Sequence, residues 1–417
     1  SEDALETGCP DLLSIHYLLS MTRDFQDQAA IMAQVSTDDV QRTVHKLFGK
    51  LSSLVDDFDN LIESLVYDIV EIVRSEQVSL AIRLFKILDL EEREDLKICA
   101  VRNIIKKKEI ELEKSSIKKL PNNKNVSKLA GHVESGIKEY PTSEGLYAEI
   151  INGTISTRTD VRGYKTFFSN KLRKSIQDMF IEVRKTYQGE QMFEVLNNMD
   201  WMFNELLVVK DHLAKYSPPD WNIFQTFYEF YYDELNQLIN ELVESEPETL
   251  IILDILDFDK TFQDTLVKEF GMAKKDVQSI IGPEQKETLF RDYLNLIVAK
   301  MTEWLGNLER AEFDVFIERT TPPHTDGEGL LFLDGTKTCF QMFTQQVEVA
   351  GGSNQAKILV GVIEKFCGLL INRQEDWNDM IKDQVNKLLH YNALYDMDPQ
   401  NVPAEAEVPG GLLEYLI

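Results

Sequence analysis

One stretch of sequence constrains the fold more than any other. From Val44, apolar residues return at Leu47, Leu51, Leu54, Phe58, Leu61 and Leu65, alternating steps of three and four with no breaking proline. Only an α-helix places such positions on one face. The run is about three heptads long. Val55, Ile62 and Val66 widen the stripe beyond the seam of a two-stranded coiled coil, so the helix is expected to pack inside a bundle.

The same period recurs along the chain. Pro10 to about Val35 reads as a helix with Leu12, Ile15, Leu19, Phe25 and Ala29 inward. Val78–Leu88 reads as a short helix and Glu91–Lys114 as another, with Glu91, Glu92, Glu94 and Asp95 at its start, where the helix dipole favours acids. Residues 115–142 lose the pattern and read as a polar, basic linker, and 152–163 is a second irregular stretch. Helices resume over Tyr164–Tyr187 and Gln191–Lys215. Ser217-Pro218-Pro219-Asp220 then carries start signals for a helix lined by Phe224, Phe227, Tyr228, Tyr231, Leu235, Leu238 and Leu242. Ser245-Glu246-Pro247-Glu248 is expected to cap the next helix in the same way. Gly282-Pro283 opens a long helix to about Glu318, Arg319–Gly335 is a loop, and a helix from Thr336 stops at Gly351-Gly352. The last long helix runs from about Ser353 to Tyr391.

With 20 Gly and 12 Pro among 417 residues, the turn chemistry of an all-β chain is missing. The expected fold is therefore all-α: an elongated rod of serial bundles, antiparallel where connections are short. The expected domains are a bundle over 1–114, a linker over 115–142, a middle bundle over 143–281 and a third over 282–417. Both ends read as cut. Residue 1 is Ser, and Leu412–Ile417 looks like the opening of a further amphipathic helix. An internal fragment is the expectation.

The net charge of −27 argues against nucleic acid as a partner, because phosphate neutralisation by Lys and Arg drives such binding. Cys9, Cys99, Cys339 and Cys367 are far apart and form no CxxC, as expected of free thiols in a cytoplasmic protein. No apolar run reaches the length of a membrane span.

Neither catalytic residues, nor a cofactor, nor a metal site is expected. Gly351-Gly352-Ser353-Asn354-Gln355-Ala356-Lys357 lacks P-loop spacing and a preceding strand, and reads as a helix stop. His132-Val133-Glu134 has no PCxxC after it. The remaining histidines are isolated and read as surface or packing residues. Cys339 near His324 reads as a helix core position rather than a nucleophile. Asp56, Asp57 and Asp59 lack the turn glycine of a calcium loop and read as a solvated helix face.

Two charge features stand out. Arg102–Lys128 holds nine basic and three acidic residues, including Lys106, Lys107, Lys108, Lys118 and Lys119. It reads as a docking patch for acidic lipid or an acidic partner, or as a solvated helix end and linker. Tyr216–Asp259 holds eleven acidic residues and no Lys or Arg. Its aromatics are mostly core, but Phe230 and Tyr232 lie off the main stripe and are expected partner contacts, as is Arg319.

Longer strings carry a family resemblance. These are Asp89-Leu90-Glu91-Glu92-Arg93-Glu94-Asp95-Leu96, Arg102-Asn103-Ile104-Ile105-Lys106-Lys107-Lys108-Glu109-Ile110, Asn198-Met199-Asp200-Trp201, Pro218-Pro219-Asp220-Trp221-Asn222-Ile223-Phe224, Met301-Thr302-Glu303-Trp304, Glu318-Arg319-Thr320-Thr321-Pro322-Pro323-His324 and Phe340-Gln341-Met342-Phe343-Thr344-Gln345-Gln346. In them the chain resembles the Sec-six (secretory six) family of exocyst subunits in its fungal form. The resemblance implies a helical rod of the tethering-complex type, without catalytic residues. It implies a cytoplasmic protein recruited to plasma-membrane sites of exocytosis, where it helps hold secretory vesicles before SNARE-mediated fusion. It also implies partners: other exocyst subunits, together with SNARE and Sec-one/Munc-eighteen-type fusion proteins. The family's N-terminal coiled coil would lie outside this stretch. The alternative expectation is a peripheral membrane module that binds acidic lipid through 102–128, and an enzyme assembled across helices comes third.

Overall fold

The computed structural model describes residues 9–34, 36–117, 158, 160–353 and 355–416. The chain is all-α, and among the described residues its strands are the two-residue pairs His324–Thr325 (β1) and Leu331–Phe332 (β2), joined antiparallel. It divides into two compact units, one through Glu234 and one from Leu235 onward. This differs from the expected three bundles, because helices on both sides of 118–157 bury their faces against each other. The expected linker starts inside a helix at 115–117, and 118–142 lies outside the described residues.

The first unit contains α1 (Leu12–Gln34), α2 (Asp38–Leu47), α3 (Gly49–Tyr67), α4 (Ile69–Arg74), α5 (Val78–Ile117), α6 (Tyr164–Thr186), α7 (Asp200–Val208), α8 (Ala214–Tyr216) and the first half of α9 (Ile223–Glu244). The heptad stretch is two helices, broken at Phe48-Gly49. Leu51, Phe58, Ile62, Leu65 and Val66 are buried as expected, but Leu47 and Leu54 face solvent. The two helices expected over 78–88 and 91–114 are one 40-residue helix, α5. Nothing at Asp89-Leu90 breaks it, and the acids read as a helix start lie in mid-helix. Leu80, Leu84, Phe85, Ile87, Leu88 and Ile98 form its inner face. Each fully buried side chain of this kind stabilises the fold by about 1.5–3 kcal/mol.

Helix α6 is the centre of this unit. Phe168 on it meets Phe85 of α5 and Trp221, with ring centroids 5.9 and 5.6 Å away. Ser175 Oγ donates to the Tyr67 carbonyl at 3.0 Å. Asp59 pairs with Tyr164, Glu63 with Lys171 and Tyr67 with Asp178, so α3 and α6 run side by side in the same direction. Between Tyr216 and α9 the chain makes a 3₁₀ turn, Pro219–Trp221. Asn222 then takes a left-handed φ of 45°, so α9 opens at Ile223 rather than at the Ser217-Pro218 signal.

The second unit contains the rest of α9, then α10 (Thr249–Lys268), α11 (Pro283–Glu318), β1, β2, α12 (Asp334–Gly352), α13 (Ala356–Met397) and α14 (Leu412–Leu416). Pro283 at the first turn of α11 and the end of α12 at Gly352 follow the sequence signals. Short connections make α12 antiparallel to α13, with Phe343 stacked on Phe366 at 3.9 Å. The contacts Leu294–Gly361, Glu312–Arg373 and Arg319–Gln384 advance together, so α11 and α13 run parallel with α12 returning between their ends. Cys339 is buried there, as its position on the α12 stripe requires.

Candidate functional site

The first unit encloses a group of charges from stretches that the sequence reading took as a helix start, an isolated histidine and an irregular segment. His16 Nε2 of α1 donates to Glu91 Oε1 of α5 at 2.6 Å. Arg158 also pairs with Glu91, and Arg162 lies 3.5 Å from it and 2.7 Å from Asp24. Both guanidinium side chains are only 6 % exposed, and Glu91 is 1 % exposed. Burial pushes the Glu91 carboxyl up, but the His16 and Arg158 hydrogen bonds and the two guanidinium charges outweigh it and bring it down to about 2. Asp95, one turn further along α5, accepts the backbone N–H groups of Arg162 and Gly163 at 2.9 and 2.7 Å. It therefore caps α6 from a neighbouring helix. Gly163 sits there at φ 70°, where a side chain would be strained. These charges are paired with one another, and the arrangement ties α1, α5 and the segment before α6 together. Only the charge run at 91–95 and the Arg-rich stretch before Tyr164 signalled it in sequence.

The expected contact residues fare differently. Lys106 and Lys107 are exposed on α5. Lys108 lies on the same helix, and its side chain is outside the described ones; Lys118 and Lys119 are outside the described residues altogether. Phe230 is a correction. It is 6 % exposed and buried under the Arg173 guanidinium, 4.2 Å from the ring centre, so it presents no face to a partner. The broad apolar face of α9 takes it in. Tyr232 is half-buried with its ring 6.1 Å from Tyr228. Arg319 is half-buried. It donates to Phe316 O at 2.8 Å, to Gln384 Oε1 at 3.2 Å and to Pro409 O at 3.2 Å, so its donors are engaged within the chain.

The surfaces with unspent apolar area lie elsewhere. Helix α1 turns Leu12, His16 and Arg23 inward, while Ile15, Leu18, Met21, Phe25 and Met32 emerge on the opposite face. Leu18 and Phe25 are more than 60 % exposed. The sequence reading placed Ile15 and Phe25 inward, because a helix with two apolar faces gives no sign of which one the core takes. Helix α13 carries a similar outward row, Val360, Ile363, Cys367 and Ile371. Contiguous exposed apolar rows of this kind mark interaction surfaces. Among the described residues no cluster of three or more His, Cys, Asp or Glu could hold a metal ion, and no helix is long and apolar enough to cross a membrane.

The chain is 64 % identical over 417 residues to the exocyst complex component SEC6 of Saccharomyces cerevisiae, covering all of this chain and 52 % of that protein. It is 24 % identical over 414 residues to the exocyst complex component sec6 of Schizosaccharomyces pombe, covering 99 % of this chain and 48 % of that one. The chain thus spans about half the length of these curated relatives. Among solved structures, that of M-Sec superposes with a TM-score of 0.52 at 14 % identity, over 91 % of this chain and 56 % of that one, and shares the helical fold. The crystal structure of the C-terminal domain of the exocyst subunit Sec6p matches at 66 % identity over 34 % of this chain and 35 % of that one, with a TM-score of 0.31. The family model for exocyst complex component Sec6 matches residues 48–417, and the chain belongs to that family.

Proposed function

We propose that this chain is part of a structural subunit of a vesicle-tethering complex and acts through several protein contacts rather than through catalysis. The observation that carries this reading is the outward apolar row of α1, Ile15, Leu18, Met21, Phe25 and Met32, in a member of an exocyst-component family. A helix that keeps one apolar face in the core and a second in solvent has a place for another helix. Other exocyst subunits are the partners proposed for it. SNARE and Sec-one/Munc-eighteen-type fusion proteins are finer proposals on the same footing, as is recruitment from the cytoplasm to plasma-membrane sites where vesicles are held before fusion. Several modest interfaces on one subunit give avidity without any single strong site.

The test uses the full-length protein. Replacing Ile15, Leu18 and Met21 by Ser is expected to leave the helical content and melting temperature unchanged. The same variant should lose one or more subunits on co-purification. Isolation of the unmodified protein solely as a free monomer with turnover activity would sink the reading.

A further inference from the structure

Basic residues are absent from 216–259 and return abruptly at Lys260, Lys268, Lys274, Lys275 and Lys286. Four of these five, Lys260, Lys268, Lys274 and Lys286, line a single cavity of about 390 Å³ in the second unit, with Asp264 and Gln355 on its wall. That volume lies within the roughly 300–1,000 Å³ typical of small-molecule sites. Three elements bring the lysines together. Lys260, Asp264 and Lys268 are four residues apart on one face of α10. Lys274 comes from the loop after α10, and Lys286 from the first turn of α11. Gln355 is the cap of α13, so the positive ends of two long helices also meet the cavity.

The scaffold beneath it is rigid. Asp259, fully buried, accepts Ser279 Oγ at 2.8 Å, the Ile280 N–H at 2.8 Å and Lys286 Nζ at 3.0 Å. Asn236 Nδ2 donates to the Ile280 carbonyl at 2.5 Å. The end of the loop at Ser279-Ile280 and the Lys286 ammonium are thus held from below. The electrostatics agree with the geometry. A hydrogen bond from Lys268, then the charges of Lys268, Lys260 and Lys274, hold the Asp264 carboxyl below the usual range. Lys286 pairs with Asp259 and Lys268 with Asp264, and all four lysines stand on the wall of the one cavity. The Lys268–Asp264 pair is exposed and exchanges readily for a better anion.

We propose that this cavity binds a compact polyanion carrying two or more phosphate groups, of the inositol polyphosphate class, either free or as a lipid headgroup. Lysine suits phosphate as a mobile point charge. Several separate ammonium groups suit several phosphates better than one. An extended polyanion would run out over the acidic surface of a −27 chain, whereas a compact one stays within the basic wall. At physiological salt the screening length is about 8 Å, so distant acids oppose it little.

The experiment is titration calorimetry of the purified chain with inositol 1,4,5-trisphosphate. Saturable binding is expected, weakening as salt is raised. Lys268→Glu with Lys274→Glu, both exposed, should lower the affinity at least tenfold with an unchanged melting temperature. Asp264→Asn should raise it severalfold, which no loss of fold would do. Charge reversal at Lys106 and Lys107 should leave it unaltered, separating this cavity from the basic face of α5. Phosphatidylcholine vesicles with and without phosphatidylinositol 4,5-bisphosphate distinguish the sources. Vesicle binding competed by the soluble trisphosphate indicates a lipid headgroup, and trisphosphate binding without vesicle binding indicates a free ligand. Absence of trisphosphate binding, equal binding by the Lys268/Lys274 variant, no change in Asp264→Asn, or equal capture by phosphatidylserine vesicles would each overturn the proposal.

Discussion

The His16 imidazole and the Glu91 carboxylate meet at 2.6 Å in a site where both side chains are more than nine-tenths buried. They belong to helices 75 positions apart in sequence, and Arg158 and Arg162 close the far side of the same carboxylate. Removing the carboxylate would leave two guanidinium groups buried without their main counter-charge. Glu91→Ala is therefore expected to destabilise the first unit by about 3–5 kcal/mol. Denaturant unfolding checks it. His16→Ala, which removes one hydrogen-bond donor, should cost less, about 1–2 kcal/mol.

Glu91 also sets an acid limit on stability. Its carboxyl lies at about 2 in the folded chain against an ordinary value of 4.5. A lowered folded value means that the unfolded chain binds the proton first as pH falls. The contribution is complete above about pH 4.5 and is lost as pH drops towards 2. Its size is on the order of 3 kcal/mol. Stability measured over that window should fall for the unmodified chain, and the part of the fall due to Glu91 should be missing in Glu91→Gln. Identical acid limbs for the two would contradict the assignment.

In the second unit, Gly361 allows α13 to lie against α11. A Cβ added there would come within 2.8 Å of Leu294 Cδ1 and 2.9 Å of its Cδ2. Gly361→Ala must push the Leu294 methyl ends aside and should cost about 1 kcal/mol, a loss that the helix preference of alanine partly offsets. Leu294→Ala should recover part of that loss in the double variant. A coupling energy between the two substitutions, read from a double-mutant cycle, is the expected signature of direct contact. Strict additivity would show that the helices do not meet at this point.

Much of this architecture was legible in sequence, and the failures share a cause. Period and breakers identify helices, so Pro283 and Gly351-Gly352 marked real ends. They do not say which of two apolar faces is buried, so Phe25 was expected inside and Phe230 outside. Charge clusters misled where tertiary partners were distant in sequence. Glu91 and Asp95 looked like acids at a helix start and are instead buried counter-ions for Arg158 and a cap for α6. The lysine-lined cavity had one trace in the sequence, the abrupt return of basic residues after Asp259. Only folding shows that residues from 260, 268, 274 and 286 converge.

Arg319 tests the difference between a surface contact and an internal latch. It ends α11 in the left-handed region at φ 47°, which a non-glycine residue occupies at some cost. Its guanidinium compensates by joining three segments: Phe316 O on its own helix, Gln384 on α13 and Pro409 O before α14. Gln384 is 2 % exposed and depends on this donor. Arg319→Ala loses the latch and keeps the backbone strain, so it should destabilise the second unit by about 2–3 kcal/mol. Arg319→Gly loses the latch but relieves the strain, and should be the milder by about 1 kcal/mol. Faster amide exchange at 410–416 in both variants would accompany the loss, because the Pro409 anchor is gone. If Arg319→Ala unfolded like the unmodified chain and instead weakened only assembly with partner subunits, the side chain would be a partner contact and the latch would be secondary.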